Sequence, residues 1–201
     1  MRTNIVIDDQ LMRDAMQASG ARTKREAFEI GLRTLVRLEQ QKRIQAFRGR
    51  LSRGGRPGEP PPGPVPCRGR GSVTVVDSSV WIDFFNGVST PEVERLDGLL
   101  GSTPVAIGDL ILVKVLQGFR HDRDVATARQ LFRAMPLLTM LGPQNAYKAA
   151  GNYRSLHSRG ITVRKTIDGI IATACIQATV PLLFSDRDFQ PYVDHLGLEA
   201  A

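Results

Sequence analysis

The feature that most limits what this chain can fold into is a run of proline and glycine between residues 54 and 66. Six of the twelve prolines lie from Pro57 to Pro66, with Gly54, Gly55, Gly58 and Gly63 among or beside them. Proline has no amide hydrogen to give to a helix or sheet, and glycine loses the most entropy on ordering. The stretch therefore predicts an extended linker. The two sides of it look like different proteins. The 201 residues divide into a small unit at 1–48, a linker at 49–72 and a larger unit at 73–201.

Charge divides at the same place. Residues 1–52 carry eleven Lys/Arg against six Asp/Glu, residues 53–72 carry four against one, and residues 73–201 carry twelve against thirteen. The net charge of +7 thus arises wholly from the first third, where it suits a phosphate backbone and equally a solvated basic surface. A hydrophobic content of 42% is ample for a buried core. Cys67 and Cys175 belong to no CxxC or Cys/His cluster, so neither zinc nor a disulfide framework is expected, and a reducing cytoplasm fits. The N-terminus has no apolar signal core. The longest apolar stretch, around Ile170–Phe184, is broken by Gln177 and Pro181, so no membrane span is expected.

Before the linker, Thr3-Asn4-Ile5-Val6-Ile7 alternates as a short strand, with Arg2 and Asn4 on the polar face. Asp8 or Asp9 can cap a helix over Gln10–Ser19 with Leu11, Ala15 and Ala18 inward, stopped by Gly20. Thr23 and Glu26 have capping-box spacing for a second helix running to about Phe47. One strand and two helices cannot close a core alone, and pairing with a second copy is the natural remedy. The pattern resembles the ribbon-helix-helix antitoxins of the VapB family. The resemblance implies that paired strands enter the major groove of operator DNA, with Arg2 and Asn4 reading bases and Thr23 and Lys24 holding phosphate.

After the linker, strands expected at Val73–Val76, Val105–Ile107, Leu137–Leu141 and Leu182–Phe184 alternate with helices at Leu110–Phe119, Asp122–Met135, Pro143–Ser158 and Thr166–Thr179. This is the pattern of an α/β unit, a parallel sheet flanked by helices, whose sites gather at the carboxyl ends of strands. Asp77 and Asp186 fall at such ends, and Asp168 opens a strongly apolar helix where an uncompensated carboxylate is costly. Converging carboxylates repel one another, and a hard divalent cation, Mg²⁺ or Mn²⁺, relieves the repulsion.

Five segments in order look like motifs of VapC toxins: Val76–Asp83, Gly108–Leu112, Val115–Phe119, Thr166–Asp168 and Ser185–Phe189. The resemblance implies a PIN fold and an Mg²⁺-dependent endoribonuclease acting on RNA. Asp77, Asp168 and Asp186 match its metal ligands, Ser79 a supporting hydroxyl, and Asp188 a secondary position. One departure stands out. Where that pattern has glutamate, this chain has Lys114. The swap alters the local charge by two units and supplies an ammonium able to pair with Asp77 or Asp168 in place of a metal. At ~4 Å such a pair is worth roughly 4 kcal/mol for an effective dielectric of ~20. A receiver domain, which also combines aspartates with a lysine, is disfavoured because Lys114 falls within a helical pattern. The expected protein is an antitoxin–toxin fusion, either a ribonuclease guarded in cis by linker arginines (Arg50, Arg53, Arg56) or a chain whose nuclease Lys114 disables. The rival is a DNA-binding autorepressor whose PIN half serves only assembly.

Overall fold

A computed structural model describes residues 7–51 and 73–201. All of the expected first strand except Ile7 lies outside the described residues, as do Arg2, Asn4, Arg53, Arg56 and Cys67. Helix α1 (Asp9–Ser19) starts at Asp8, whose carboxylate accepts from the Leu11 amide at 2.8 Å, and ends at Gly20 in the left-handed conformation that glycine adopts freely. Helix α2 (Lys24–Lys42) is capped by Thr23, whose hydroxyl oxygen accepts from the Glu26 amide at 3.1 Å. The Glu26 carboxylate reaches back to the amide of Arg22, one residue earlier than a regular capping box requires. The second helix ends sooner than expected, passing into a 3₁₀ turn over Arg43–Phe47.

The inward face of the helical pair also differs from expectation. Met12 and Ala27 are buried, whereas Leu11 and Leu35 are exposed, at 63% and 64%. Phe28, Leu32 and Val36 share that exposure, so the two helices cover only one side of each other.

The larger unit is built on strands β1 (Thr74–Val76), β2 (Val105–Gly108), β3 (Leu137–Leu138) and β4 (Leu182–Leu183). They lie in the order β3-β2-β1-β4, all pairings parallel, as the alternation of strands and helices predicts. The outer edge of β4 is occupied by the C-terminal residues. Leu182 donates to the Glu199 carbonyl at 2.9 Å, and Ala201 donates to that of Leu182 at 3.1 Å, which closes the edge to outside strands. Helices α3 (Ser78–Asn86), α4 (Pro91–Leu99), α5 (Asp109–Leu116), α6 (Asp122–Phe132), α7 (Pro143–Ser158), α8 (Thr166–Ala178) and α9 (Gln190–Leu196) surround the sheet.

Periodicity does not reveal α3, because it is short and its polar face is only Ser79, Asp83 and Asn86. Val80, Trp81, Phe84 and Phe85 are all buried, and such a run has the same pattern as a buried strand. Trp81, Phe84, Phe85 and Phe132 meet in stacked and edge-on pairs at 5.2–6.0 Å between ring centres. These contacts fix α3 and α6 on one another and so set where Asp77, at the head of α3, can point.

The two units share one core. Ile44 and Leu51 are buried in the same apolar cluster as Val75 and Trp81. Gln41 has no exposure; its amide nitrogen donates to the Val105 carbonyl at 2.8 Å, and its amide oxygen accepts from the Val105 N–H at 3.2 Å. The Ile107 N–H donates to Pro136 on the β3 side, and by strand alternation Val105 faces the same way, beyond the reach of the two-residue β3. Gln41 therefore completes a ladder that β3 leaves unfinished. Gln45 donates to the Asp97 carbonyl at 2.7 Å, and Arg48 pairs with Glu94 and Asp97. Gly49 and Gly87 pass so closely that a Cβ on either would lie 3.0–3.2 Å from the other's Cα. Residues 49–51 thus continue the packed segment, although composition places them in the linker.

This clasp holds the start of β2 and the far end of α3, opposite to the carboxyl ends of the strands. Replacing Gln41 with alanine strands the two Val105 backbone groups and is expected to cost about 1–3 kcal/mol. Ile44→Ala leaves a cavity in the shared core, expected to cost about 2–5 kcal/mol. Urea unfolding of the full chain reads both as lowered midpoints, and unchanged midpoints would show that the clasp adds nothing.

Candidate functional site

Each acidic residue of the site sits where a structural element begins. Asp77 follows β1 and caps α3. Its carboxylate accepts from the Ser79 amide at 2.9 Å, from the Ser79 hydroxyl at 2.7 Å and from the Ser78 hydroxyl at 3.3 Å. Its own N–H donates to the Leu183 carbonyl at 2.8 Å, which ties β1 to β4 at the site. Asp168 is in the first turn of α8 and is only 1% exposed. Asp186 caps the short 3₁₀ turn Arg187–Phe189 and accepts from the Asp188 amide at 3.0 Å.

The glycine after Asp168 has a steric reason. A Cβ on Gly169 would come within 2.6 Å of the buried Tyr192 hydroxyl. Gly108 is held similarly, since a Cβ there would strike the Met140 sulfur. Beside it, Asp109 accepts from the Leu110 and Met140 amides at 2.8 and 2.9 Å, so this carboxylate anchors a loop and does not face Lys114.

Oxygens of Asp168, Asp186 and Asp188 lie within 4.8 Å of one another, an oxygen-only set of the kind that suits a hard divalent cation. Asp77 is outside that trio yet near enough for its negative charge to act on Asp168. The grouping differs from the expected Asp77, Asp168 and Asp186: Asp188 joins Asp168 and Asp186, and Asp77 stands beside them, held by hydrogen bonds from Ser78 and Ser79. One oxygen of Asp168, Oδ2, is buried without a hydrogen-bond partner, which fits an atom able to serve as a ligand to a cation.

Two ammonium groups already occupy this space. Lys114 Nζ, in the last turn of α5, lies 3.1 Å from Asp168 Oδ1. Of the two partners its position allowed, Asp168 is the one engaged. Lys165, absent from the expected site, lies 2.5 Å from Asp186, 3.2 Å from Asp188 and 3.8 Å from Asp168 Oδ2. A signal for Lys165 is present in the sequence. It caps the N-terminal end of α8, where the helix dipole disfavours a cation unless acidic groups hold it there.

The titration of these groups follows from this arrangement. Burial raises the Asp168 carboxyl above the usual aspartate value, with Asp77 adding to the rise and the ammoniums of Lys114 and Lys165 opposing it. Burial also pushes Asp186 upward, but the Lys165 hydrogen bond, the Asp188 amide and the nearby lysine charges outweigh it and leave that carboxyl below the usual value. Lys165 is raised chiefly by its hydrogen bonds to Asp186 and Asp188. Burial pushes the nearby Cys175 thiol up to about 12, which keeps it an unreactive core residue.

In the smaller unit, Thr23 spends its oxygen on the α2 cap, and Lys24 pairs with Asp9 at 3.2 Å in full exposure. Among the described residues no helix is long and apolar enough to cross a membrane.

Carboxyl-carbon NMR is expected to show Asp168 titrating above, and Asp186 below, the ordinary aspartate value of about 3.9. In Lys114→Met the Asp168 midpoint should rise further, since a cation that favours its charged form is gone. A midpoint that falls or stays fixed in the variant would show that Lys114 does not compensate Asp168.

Comparison with known proteins agrees with this architecture on both sides of the linker. Residues 1–47 match the family model for the bacterial VapB antitoxin of type II toxin–antitoxin systems, and residues 74–193 match that of the PIN domain. VapC ribonuclease Mb1587 of Mycobacterium bovis and ribonuclease VapC11 of Mycobacterium tuberculosis are each 26% identical over 129 residues, which is 63% of this chain and 96% of theirs. Antitoxin VapB32 of Mycobacterium tuberculosis is 39% identical over 49 residues, covering 24% of this chain and 75% of the antitoxin. A crystal structure of VapBC2 from Rickettsia felis bound to a promoter DNA fragment superposes with a TM-score of 0.52 at 10% identity, over 64% of this chain and 97% of that one. The chain belongs to the PIN-domain family, as a VapC-like domain joined behind a VapB-like antitoxin segment in a single toxin–antitoxin fusion.

Proposed function

We propose that residues 73–201 are an Mg²⁺-dependent endoribonuclease framework, with Mn²⁺ able to replace Mg²⁺, whose activity is suppressed by Lys114. The observation that carries this reading is the Lys114 ammonium 3.1 Å from the buried Asp168 carboxylate. When bound, a divalent ion would neutralise charge building on the scissile phosphate and make water a better nucleophile. Asp168, Asp186 and Asp77 would hold it. Ser79 and Ser78 fix the orientation of Asp77, and Asp188 lends a further carboxylate beside Asp186. Lys114 opposes all of this by satisfying Asp168 with a charge that cannot be exchanged.

The same ammonium favours a second reading, in which the chain is a DNA-binding autorepressor and its PIN half serves only assembly. Arg2 and Asn4 would then read base edges of operator DNA, while Thr23 and Lys24 hold phosphate. The exposed Lys24–Asp9 pair is worth little in water, so exchanging Asp9 for a phosphate oxygen costs little. The uncovered apolar stripe of Leu11, Phe28, Leu32, Leu35 and Val36 supports pairing with a second copy in the cytoplasm. The clasp grips the sheet end away from the carboxylates, so any guard acting in cis would have to come from the linker arginines.

Incubating the full chain with RNA in Mg²⁺ or Mn²⁺, beside Lys114→Glu, separates the readings. Cleavage that is weak in the natural chain, at least tenfold stronger in Lys114→Glu and abolished by a chelator is the expected result. Equal, chelator-sensitive cleavage by both would refute suppression by Lys114. Operator binding by both chains, with no cleavage by either, selects the autorepressor. In the Lys114→Glu background, Arg53→Ala with Arg56→Ala should raise cleavage if the linker guards the site and leave it unchanged if it does not.

A further inference from the structure

We propose that Lys165 is a tethered cation that holds the acidic site closed independently of Lys114, so that a divalent ion must displace the Lys165 ammonium to enter. The inference rests on the reading that these carboxylates bind a divalent ion, and it assigns the competitor for that ion.

The geometry has three parts. One Nζ lies within 4.0 Å of all three carboxylates able to close on a single ion, at 2.5, 3.2 and 3.8 Å from Asp186, Asp188 and Asp168. The ammonium therefore sits among the same oxygens that would coordinate a metal. Its contact with Asp168 is the loosest, and it is to Oδ2, the buried oxygen that has no hydrogen-bond partner. A lysine covers that oxygen poorly because its three N–H directions are already drawn to Asp186 and Asp188 and to solvent, whereas a divalent ion has no such directional limit.

The third part is that Lys165 can leave. Its side chain is 53% exposed, against 28% for Lys114, and it lies at the mouth of α8, not inside the core. The two lysines thus divide the work. Lys114 satisfies Oδ1 of Asp168 from α5, and Lys165 covers Asp186 and Asp188 from the solvent side. Restoring a carboxylate at position 114 leaves the second cation in place.

The test is Mn²⁺ binding by calorimetry and by the loss of free-ion electron paramagnetic resonance signal, on the full-length chain. Lys114→Glu, Lys114→Glu/Lys165→Gln and Lys114→Glu/Lys165→Arg are compared. Expected is at least tenfold tighter binding in the Gln double variant than in Lys114→Glu, and no such gain in the Arg double variant, which keeps the charge and controls for disturbance of the helix start. Acetylation followed by mass spectrometry gives a second readout. In Lys114→Glu, labelling of Lys165 should rise several-fold at saturating Mn²⁺, while labelling of Lys148 stays constant. Equal Mn²⁺ affinity in the Gln double variant and Lys114→Glu, or Lys165 labelling indifferent to bound Mn²⁺, overturns the proposal. Absence of Mn²⁺ binding in all three chains overturns the metal-site reading and the proposal with it. RNA cleavage by the natural chain equal to that of Lys114→Glu, with the Mn²⁺ results as expected, overturns suppression by Lys114 alone.

Discussion

A carboxylate at 1% exposure beneath the end of a parallel sheet has to be compensated, and much of the site's architecture answers that demand at Asp168. It cannot be hydrated, and the apolar residues that follow it in α8 offer it nothing. Its companions add repulsion, not relief, because Asp77 acts on it and Asp186 and Asp188 crowd the same opening. Such a group stays charged only if positive charge or hydrogen-bond donors support it. In this chain two amines supply positive charge, one from the last turn of α5 and one from the cap of α8. The consequence is a site whose carboxylates are partly compensated by the chain's own lysines.

Much of this was legible beforehand. The alternation of apolar runs with amphipathic segments gave the parallel sheet, because strand and helix periods differ enough to be told apart. Asp77, Asp168 and Asp186 stand out in the sequence because a carboxylate next to an apolar run is energetically conspicuous, and the structure groups two of them with Asp188. Lys114 could be found because it breaks a motif. What escaped detection did so for physical reasons. Helix α3 has too few polar positions, Ser79, Asp83 and Asn86, to stand out from the apolar run around them, while β3 and β4 fall where strands were expected but pair over only two residues each. Lys165 is marked in the sequence only by its place before α8, and its role depends on Asp186 and Asp188, about twenty residues downstream. The exposed Leu11 and buried Met12 reflect a helix pair whose second face is left exposed among the described residues.

The clasp was the largest departure from expectation. A basic amphipathic segment followed by a proline-rich linker suggests two bodies joined by a tether, yet Gln41, Ile44 and Leu51 are interior residues of the larger unit. Gln41 is polar and would ordinarily be assigned to a helix surface. It is buried because its side-chain amide carries the same donor and acceptor pair as a peptide group and so can stand in for the missing strand beside Val105. Because the contact is made at the amino end of β2, it leaves the carboxyl ends of the strands uncovered. Attachment of the antitoxin-like segment and obstruction of the acidic site are separate matters in this molecule.

The same clasp imposes an order on assembly during synthesis. Gln41 is made 64 residues before its partner Val105, while β1 must await β4, more than one hundred residues later, to complete the sheet. Contacts between such distant segments form slowly, because the loop between them must first be closed. The amino-terminal helices are therefore synthesised before β2, and Asp186 follows only after the final strand. Two of the three acidic trio residues are among the last parts of the chain to be made, well after both partners of the clasp.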